Sequence, residues 1–381
     1  MNSHSMLSQI LEIGCICVLI LAGTSTVNAQ TGIVEFTEAY RIGDEGAGDS
    51  ILFGNVVSMA VDSQGRLYLT DFMGNKSIQL FSPDGVPIRE IGREGGGPGE
   101  FEFTPTVHIG PGDTLYAWET NKFRLTTFSP ENQSLVSSNT IGNPGSRDPR
   151  PLRFLGAVNQ GYLMEFSGSY IPGSLVQYDM GHFAKVVTWD RNAPDDRMAQ
   201  LPSANYVVFD ASSISGFSGS GVRFLPYSAR PNYVLSADQI LYYGMSDAIQ
   251  LTGTTLEGED VHKISLPHTP VPVSASERES GAGRIQHEQL RKDVIANIPE
   301  HKPAYARLMS DDAGHIWMWL SKPENEQTST WLVVNALGET VATAQVPDGM
   351  RLMAVRGGRA YGSQTDENSG VPIVIAWEIS W

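Results

Sequence analysis

From Val56 onward the apolar residues fall into short runs, each broken by a polar turn. Val57, Met59 and Val61 alternate with Ser58 and Ala60, the pattern of a half-buried strand. Asp62-Ser63-Gln64-Gly65 then turns the chain, and Leu67 to Thr70 makes a second strand. After a loop from Asp71 to Lys76, Ile78 to Phe81 alternates as a third strand. Ser82-Pro83-Asp84-Gly85 is a tight-turn signal, and Pro87 to Ile91 returns as a fourth. Proline suits that fourth strand, because an outer strand has one unpaired edge.

The same unit recurs. A polar turn followed by a short apolar run ending near an aromatic appears at Asp62 to Tyr68, Gly110 to Tyr116, Asn159 to Met164, Ala237 to Leu241, Asp312 to Trp317 and Gly357 to Tyr361. Self-similarity on this scale points to a solenoid or a propeller, and four antiparallel strands per unit is a propeller blade. Aligning Tyr68, Tyr116, Met164, Leu241, Trp317 and Tyr361 leaves two gaps about 30 residues too long for the repeat. One insertion spans about 190–231, where Tyr206 to Phe209 and Val222 to Leu225 suggest a hairpin. The other spans about 267–303 and looks helical. Ser274-Ala275-Ser276-Glu277 fits a capping box, and Ile285, Leu290, Val294 and Ile298 follow at helical spacing.

In the third unit Leu175 to Asp179 reads as the third strand, and the last unit ends one strand short. An open ring would expose strand edges, so Ile33 to Ile42 is expected to supply the missing strand. The expected fold is therefore an all-β, six-bladed β-propeller over 30–381, its last blade closed by the N-terminal strand. Both insertions should emerge on one face, because both occupy inter-blade crossings.

Composition narrows the picture. Acids outnumber bases 42 to 26, for a formal charge of −16. That balance excludes a nucleic-acid partner and docking on anionic membranes, both of which need clustered Lys and Arg. The apolar stretch Ile13 to Ala22 is too short to span a bilayer, and Val27-Asn28-Ala29 offers the small residues a signal peptidase reads. Residues 1–29 are thus expected to be a signal peptide, with the mature protein periplasmic or secreted and not inserted in a membrane. Cys15 and Cys17 would leave with it, which removes disulfides and a thiolate nucleophile from the mature chain.

The insertion-bearing face is where ligand contacts are expected, since loops held by a rigid scaffold carry binding residues. Its candidates are Asp71, Asn75, Lys76, Arg93, Glu94, Glu100, Glu119 and Lys122. The glycine-rich run Gly92 to Phe101 serves either as an anion-holding loop or as a tight crossing with Phe101 plugging the core. Asp71 and Glu119 end equivalent strands and could ligate a hard cation such as calcium, or cap loops. Trp317 and Trp319 alternate on one strand and read as packing between blades. His287-Glu288 lacks the second histidine of a zinc-protease motif, and Ser218 and Ser220 lack the nucleophile-elbow spacing.

The run Asn55 to Phe101 resembles NHL repeats, and the chain is similar to bacterial exported six-bladed β-propeller proteins. The similarity is carried by Gly97-Pro98-Gly99-Glu100-Phe101, by Lys302-Pro303-Ala304-Tyr305 with Asp312 to Trp317, and by Arg351 to Gly362. It spans nearly the whole mature chain and implies a fold, not an activity. NHL propellers serve as protein- or RNA-binding platforms, and the acidic charge here speaks against RNA. Wider relatives include calcium-dependent lactonases and peptide-amidating lyases, whose metal constellation finds no residue-by-residue match. Two functions stay open. One is a non-catalytic scaffold for a protein, peptide or glycan, with no cofactor. The other is a cation-dependent hydrolase or lyase at the channel mouth, using Asp71, Glu119 or Glu165 with His182 or His301.

Overall fold

The computed structural model describes residues 31–43, 51–72, 74–142, 149–167, 182–188, 197–202, 206–210, 220–366 and 369–381. The expected signal peptide, the strand expected over Leu175 to Asp179, and Ser218 all lie outside them. Thr31–Trp381 is one compact unit.

The chain opens with the long strand β1 (Gly32–Ile42) and then builds antiparallel meanders. The first is β2 (Val56–Val61), β3 (Leu67–Asp71), β4 (Ile78–Phe81) and β5 (Pro87–Ile91). The second is β6 (Thr106–Ile109), β7 (Leu115–Glu119), β8 (Arg124–Phe128) and β9 (Leu135–Thr140). The third is β10 (Pro151–Val158), β11 (Gly161–Phe166), β12 (Phe183–Thr188) and β13 (Ala199–Gln200), so its third strand is β12. A hairpin of β14 (Tyr206–Asp210) and β15 (Ser220–Phe224) follows, as its alternating residues suggested. The fourth meander is β16 (Pro231–Leu235), β17 (Leu241–Met245), β18 (Ile249–Thr254) and β19 (Asp260–Leu266).

The helical insertion consists of α1 (Ala275–Gly281) and α2 (Glu288–Asn297). Its capping box is present, with Ser274 accepting from the Glu277 amide and Glu277 from the Ser274 amide. His287, read in the sequence only against a metal motif, is the N-cap of α2. The helices pack Val273, Ala282, Ile285, Leu290, Val294 and Ile298 together and onto Leu225 and Tyr227, which follow the hairpin. The two insertions are therefore in contact.

The remaining strands form one eight-stranded sheet. β20 (Tyr305–Ser310), β21 (Ile316–Leu320), β22 (Thr328–Val334) and β23 (Thr340–Pro347) make one half. β24 (Arg351–Arg356), β25 (Arg359–Thr365), β26 (Pro372–Ser380) and β1 make the other. Residues Glu35 to Ile42 of β1 pair antiparallel with β26, and Gly32 to Val34 run on to pair parallel with β23. This second pairing, absent from the sequence reading, follows from the eleven-residue length of β1.

The first strands of successive sheets abut in a closed cycle: β2, β6, β10, β16, β20, β24 and back to β2. Apolar clusters lie between neighbouring sheets. One joins Tyr68, Ile78 and Leu80 to Phe101, Leu115 and Phe128; another joins Val56, Leu67 and Phe81 to Tyr361, Val374 and Ala376. Phe101 is fully buried. The crossing that delivers it needs glycine at Gly92, where φ is +74° and a Cβ would stand 2.4 Å from the Phe101 ring.

The recurring sequence phrase has a physical cause. Asp62 Oδ1 accepts from the Gln64 and Arg66 amides, while Oδ2 accepts from Arg66 Nε at 2.6 Å and Tyr68 OH at 3.1 Å. Asp311 repeats this with the Ala313 and His315 amides, and its Oδ2 accepts from Trp317 Nε1 at 3.0 Å. One carboxylate thus satisfies both the turn and the polar tip of a buried aromatic six residues on. The strand pairings assign the aromatic position to Tyr162 and Tyr242, not to Met164 and Leu241. Ala157 faces Tyr162 and Val234 faces Tyr242, as Ala60 faces Tyr68. Asp311→Ala should cost about 2–4 kcal/mol in urea unfolding, because it strands the Trp317 N–H and two turn amides. Ser236→Ala, which removes a neutral cap from the Ile240 amide, should cost about 1 kcal/mol.

Candidate functional site: the central channel

The cycle of first strands surrounds a channel. An innermost strand has no neighbour on its inner side, so its edge N–H and C=O groups need other partners. Side chains from adjacent strands supply them. The Ser58 hydroxyl accepts from the Val107 amide, Ser310 Oγ donates to Leu235 O, and Arg307 Nη1 donates to Leu352 O. Arg351 Nη2 donates to Val56 O.

A cavity of about 710 Å³ occupies the end of the channel reached by the turns between first and second strands. All six innermost strands line it, through Ala60, His108, Ala157, Leu235, Met309 and Val355 among others. Its rim is stitched turn to turn. Asp113 Oδ1 accepts from the Ser63 amide at 2.9 Å, Gln239 Oε1 from the Asn159 amide at 3.0 Å, and Asp312 Oδ2 from the Gly357 amide at 3.1 Å. Asp113 and Gln239 hold left-handed backbones, φ 59° and 61°, which aim these side chains across to the neighbouring turn. The rim is therefore pre-formed.

The residues expected from the sequence to bind ligand lie elsewhere, on the crossings that enter the innermost strands from the opposite end. Asp71 and Glu119 are buried and cap separate crossings. Asp71 accepts from the Gly54 and Asn55 amides; Glu119 accepts from the Glu102 and Phe103 amides and pairs with Arg124 at 2.5 Å. Lys76 pairs with Glu94 at 2.5 Å, Arg93 with Glu100 at 2.6 Å, and Lys122 with Glu102 at 2.6 Å. Asn75 is exposed. The structure thus groups Lys76, Arg93, Glu94, Glu100, Glu119 and Lys122 along one crossing, while Asp71 caps the crossing into β2.

Glu165 stands at the same strand end as those two acids but has different company. Its Oε1 lies 2.8 Å from His182 Nδ1 and accepts from Tyr233 OH at 3.2 Å; Arg153 lies 3.5 Å from its Oε2. Among the described residues, His182 Nε2 is buried without a hydrogen-bond partner. His301 is exposed and bridges Pro272 instead. Among the described residues, no group of three or more His, Cys, Asp or Glu is placed to hold a metal ion, and no helix is long and apolar enough to cross a membrane.

No family model matches this chain, and no curated protein matches it. Solved structures do. A member of the DUF4221 family from Bacteroides vulgatus superposes with a TM-score of 0.54 at 12% identity, over 92% of this chain and 99% of that one. A Bacteroides fragilis protein assigned to export gives 0.48 at 11% over 92% and 96%. A gluconolactonase from Xanthomonas campestris gives 0.45 at 13% over 90% and 97%. The closed cycle of antiparallel meanders is itself a fold of the β-propeller type.

Sequence reasoning missed the channel wall. Nothing local distinguishes His108, Arg307 or Arg351 from any polar residue on an alternating strand; only the cyclic order brings them inward. His108 lines the cavity with its ring edge-on to Phe154 at 4.8 Å. Burial pushes its imidazole pKa down to about 4, so it is neutral at pH 7. An unfolded histidine titrates near 6.5. Below that pH the unfolded chain takes up a proton that the folded one refuses, so this contribution is full above about 6.5 and is lost as pH falls towards 4. The loss should be about 3 kcal/mol between those limits, read from urea midpoints, and His108→Gln should flatten that part of the pH profile.

Proposed function

We propose that this chain is an exported six-bladed β-propeller of the NHL-like kind, working as a binding scaffold whose ligand enters the central channel at its turn-lined end. In this reading each half of the eight-stranded sheet is a blade, and β1 completes the last one. The helices and the hairpin share the opposite face, and residues 1–29 direct the chain to the periplasm or the exterior. The ligand is a peptide, a glycan or a protein loop, and binding needs no cofactor.

One observation carries the reading: a cavity of about 710 Å³ walled by all six innermost strands, with a rim whose polar groups are already fixed by one another. That is a fitting size for a small ligand, and pre-organisation lowers the ordering cost of binding. The test is a peptide and glycan array probed with residues 30–381, then repeated with Ala354→Trp and Ala157→Trp, which fill the cavity from two sides. Hits should weaken at least tenfold in both variants. Hits that survive both would move the site off this cavity.

A second reading, a hydrolase or lyase, is favoured by the Glu165–His182 pair. Glu165 orients Nδ1, and the unpaired Nε2 has the lone pair a general base requires. Calcium as cofactor belongs to this reading. A rise of several degrees in melting temperature with millimolar calcium, lost in Glu165→Gln, would support it. An unchanged melting temperature would count against it.

A further inference from the structure

Arg307 and Arg351 occupy the same level of two adjacent innermost strands. Arg307 pairs across its sheet with Trp319 and Arg351 with Ser363; the corresponding residues are Ser58 opposite Thr70, Thr106 opposite Trp118, and Asn232 opposite Gly244. Five of the six strands are thus polar at this level, and not one of those residues is acidic. In a chain with 42 acids and 26 bases this is an unusual place for two cations to meet.

Each guanidinium is anchored by one donor on the carbonyl of the next strand, Arg307 on Leu352 O and Arg351 on Val56 O. Arg351 Nη2 also lies 3.5 Å from Met353 Sδ, and Met353 lines the cavity. The pair therefore stands just beyond the inner end of that cavity. Neither forms an ion pair with a carboxylate among the described residues. Burial, and then the charge of Arg351, lower the Arg307 pKa; burial alone lowers that of Arg351. Covering an edge carbonyl does not require this arrangement, since hydroxyls do the same work at Ser58 and Ser310. Two guanidiniums instead leave several parallel N–H donors unspent and a repulsion that an anion between them would relieve.

We propose that Arg307 and Arg351 form an oxyanion-binding subsite in the channel, taking the carboxylate or phosphate group of a ligand whose body fills the adjoining cavity. The guanidinium fork matches either group through paired N–H···O bonds, and a planar fork held by backbone is pre-organised for it. The subsite rests on the reading of the cavity as the ligand's place, and it holds whether or not the scaffold is catalytic. It adds a charge requirement that the shape of the cavity alone does not impose.

The experiment uses residues 30–381 and four probes: sodium phosphate, sulfate, acetate and chloride at matched ionic strength and pH 7. Melting temperature should rise with concentration in phosphate, sulfate or acetate and stay level in chloride. Phosphate and sulfate acting alone would assign a phosphorylated or sulfated ligand, and acetate acting as well would assign a carboxylate. Arg307→Gln and Arg351→Gln should each weaken the apparent affinity at least tenfold. Arg307→Gln should be no less stable than the native chain in chloride, because it removes the repulsion. The Lys variants keep the charge and lose the fork, so they should fall between native and Gln. An equal response in the Arg307→Gln/Arg351→Gln double variant, or no probe exceeding chloride, would overturn the proposal. Array hits lost in Ala354→Trp but untouched by Arg351→Gln would overturn it too, while leaving the cavity as the binding site.

Discussion

The ladder between β1 and β26 is the constraint on which the rest of the structure depends. Seven register pairs, Glu35 with Ser380 through Ile42 with Val374, join the beginning of the described chain to its end. Without them the outer edge of β26 would be open to water or to another molecule. With them, the cluster of Ile42, Phe53, Val56 and Tyr361 can form between the last sheet and the first. The cycle of innermost strands then has a fixed circumference, and everything facing the channel acquires a fixed position.

A ring has an inner as well as an outer edge. The outer one is managed by β1 and by prolines and charges on the outermost strands, as at Pro87 and Arg89. The inner one is the free edge of the first strands, which end their sheets and line the channel. Side chains of neighbouring strands cover it, and the choice of hydroxyl or guanidinium decides what else the wall can do. Ser58 and Ser310 close it quietly; Arg307 and Arg351 leave positive charge in it. Architecture and candidate chemistry thus meet at the same atoms.

Much of the fold was legible because each element is local. Turn chemistry at Asp62 and Asp312, alternation along β2 and β4, and the capping box at Ser274 are each written within a few consecutive residues; that Asp311 anchors the turn at Asp312 was not read. The third meander was less so. Its third strand, Phe183–Thr188, lies beyond a long connection, and β13 is only two residues long. The fourth strand of the next meander, Asp260–Leu266, passed unread because its polar face is continuous with the turn before it. The site was hardly legible at all. Asp71 and Glu119 attract attention as acids at strand ends, yet both are occupied in capping their own crossings. His108, Arg307 and Arg351, separated by up to 243 positions, are brought to the channel only by the cyclic order of the first strands.

Closure is best tested by native-state hydrogen exchange across a denaturant series. If β1 seals the ring as an integral strand, the amides of Phe36 to Ile42 and their partners in β26 open only with the whole propeller. They should then share the free energy and denaturant slope of β3 and β21. Exchange of β1 and β26 through a smaller, shallower opening while β3 and β21 stay protected would show the strand to be an appendage, and would contradict the account.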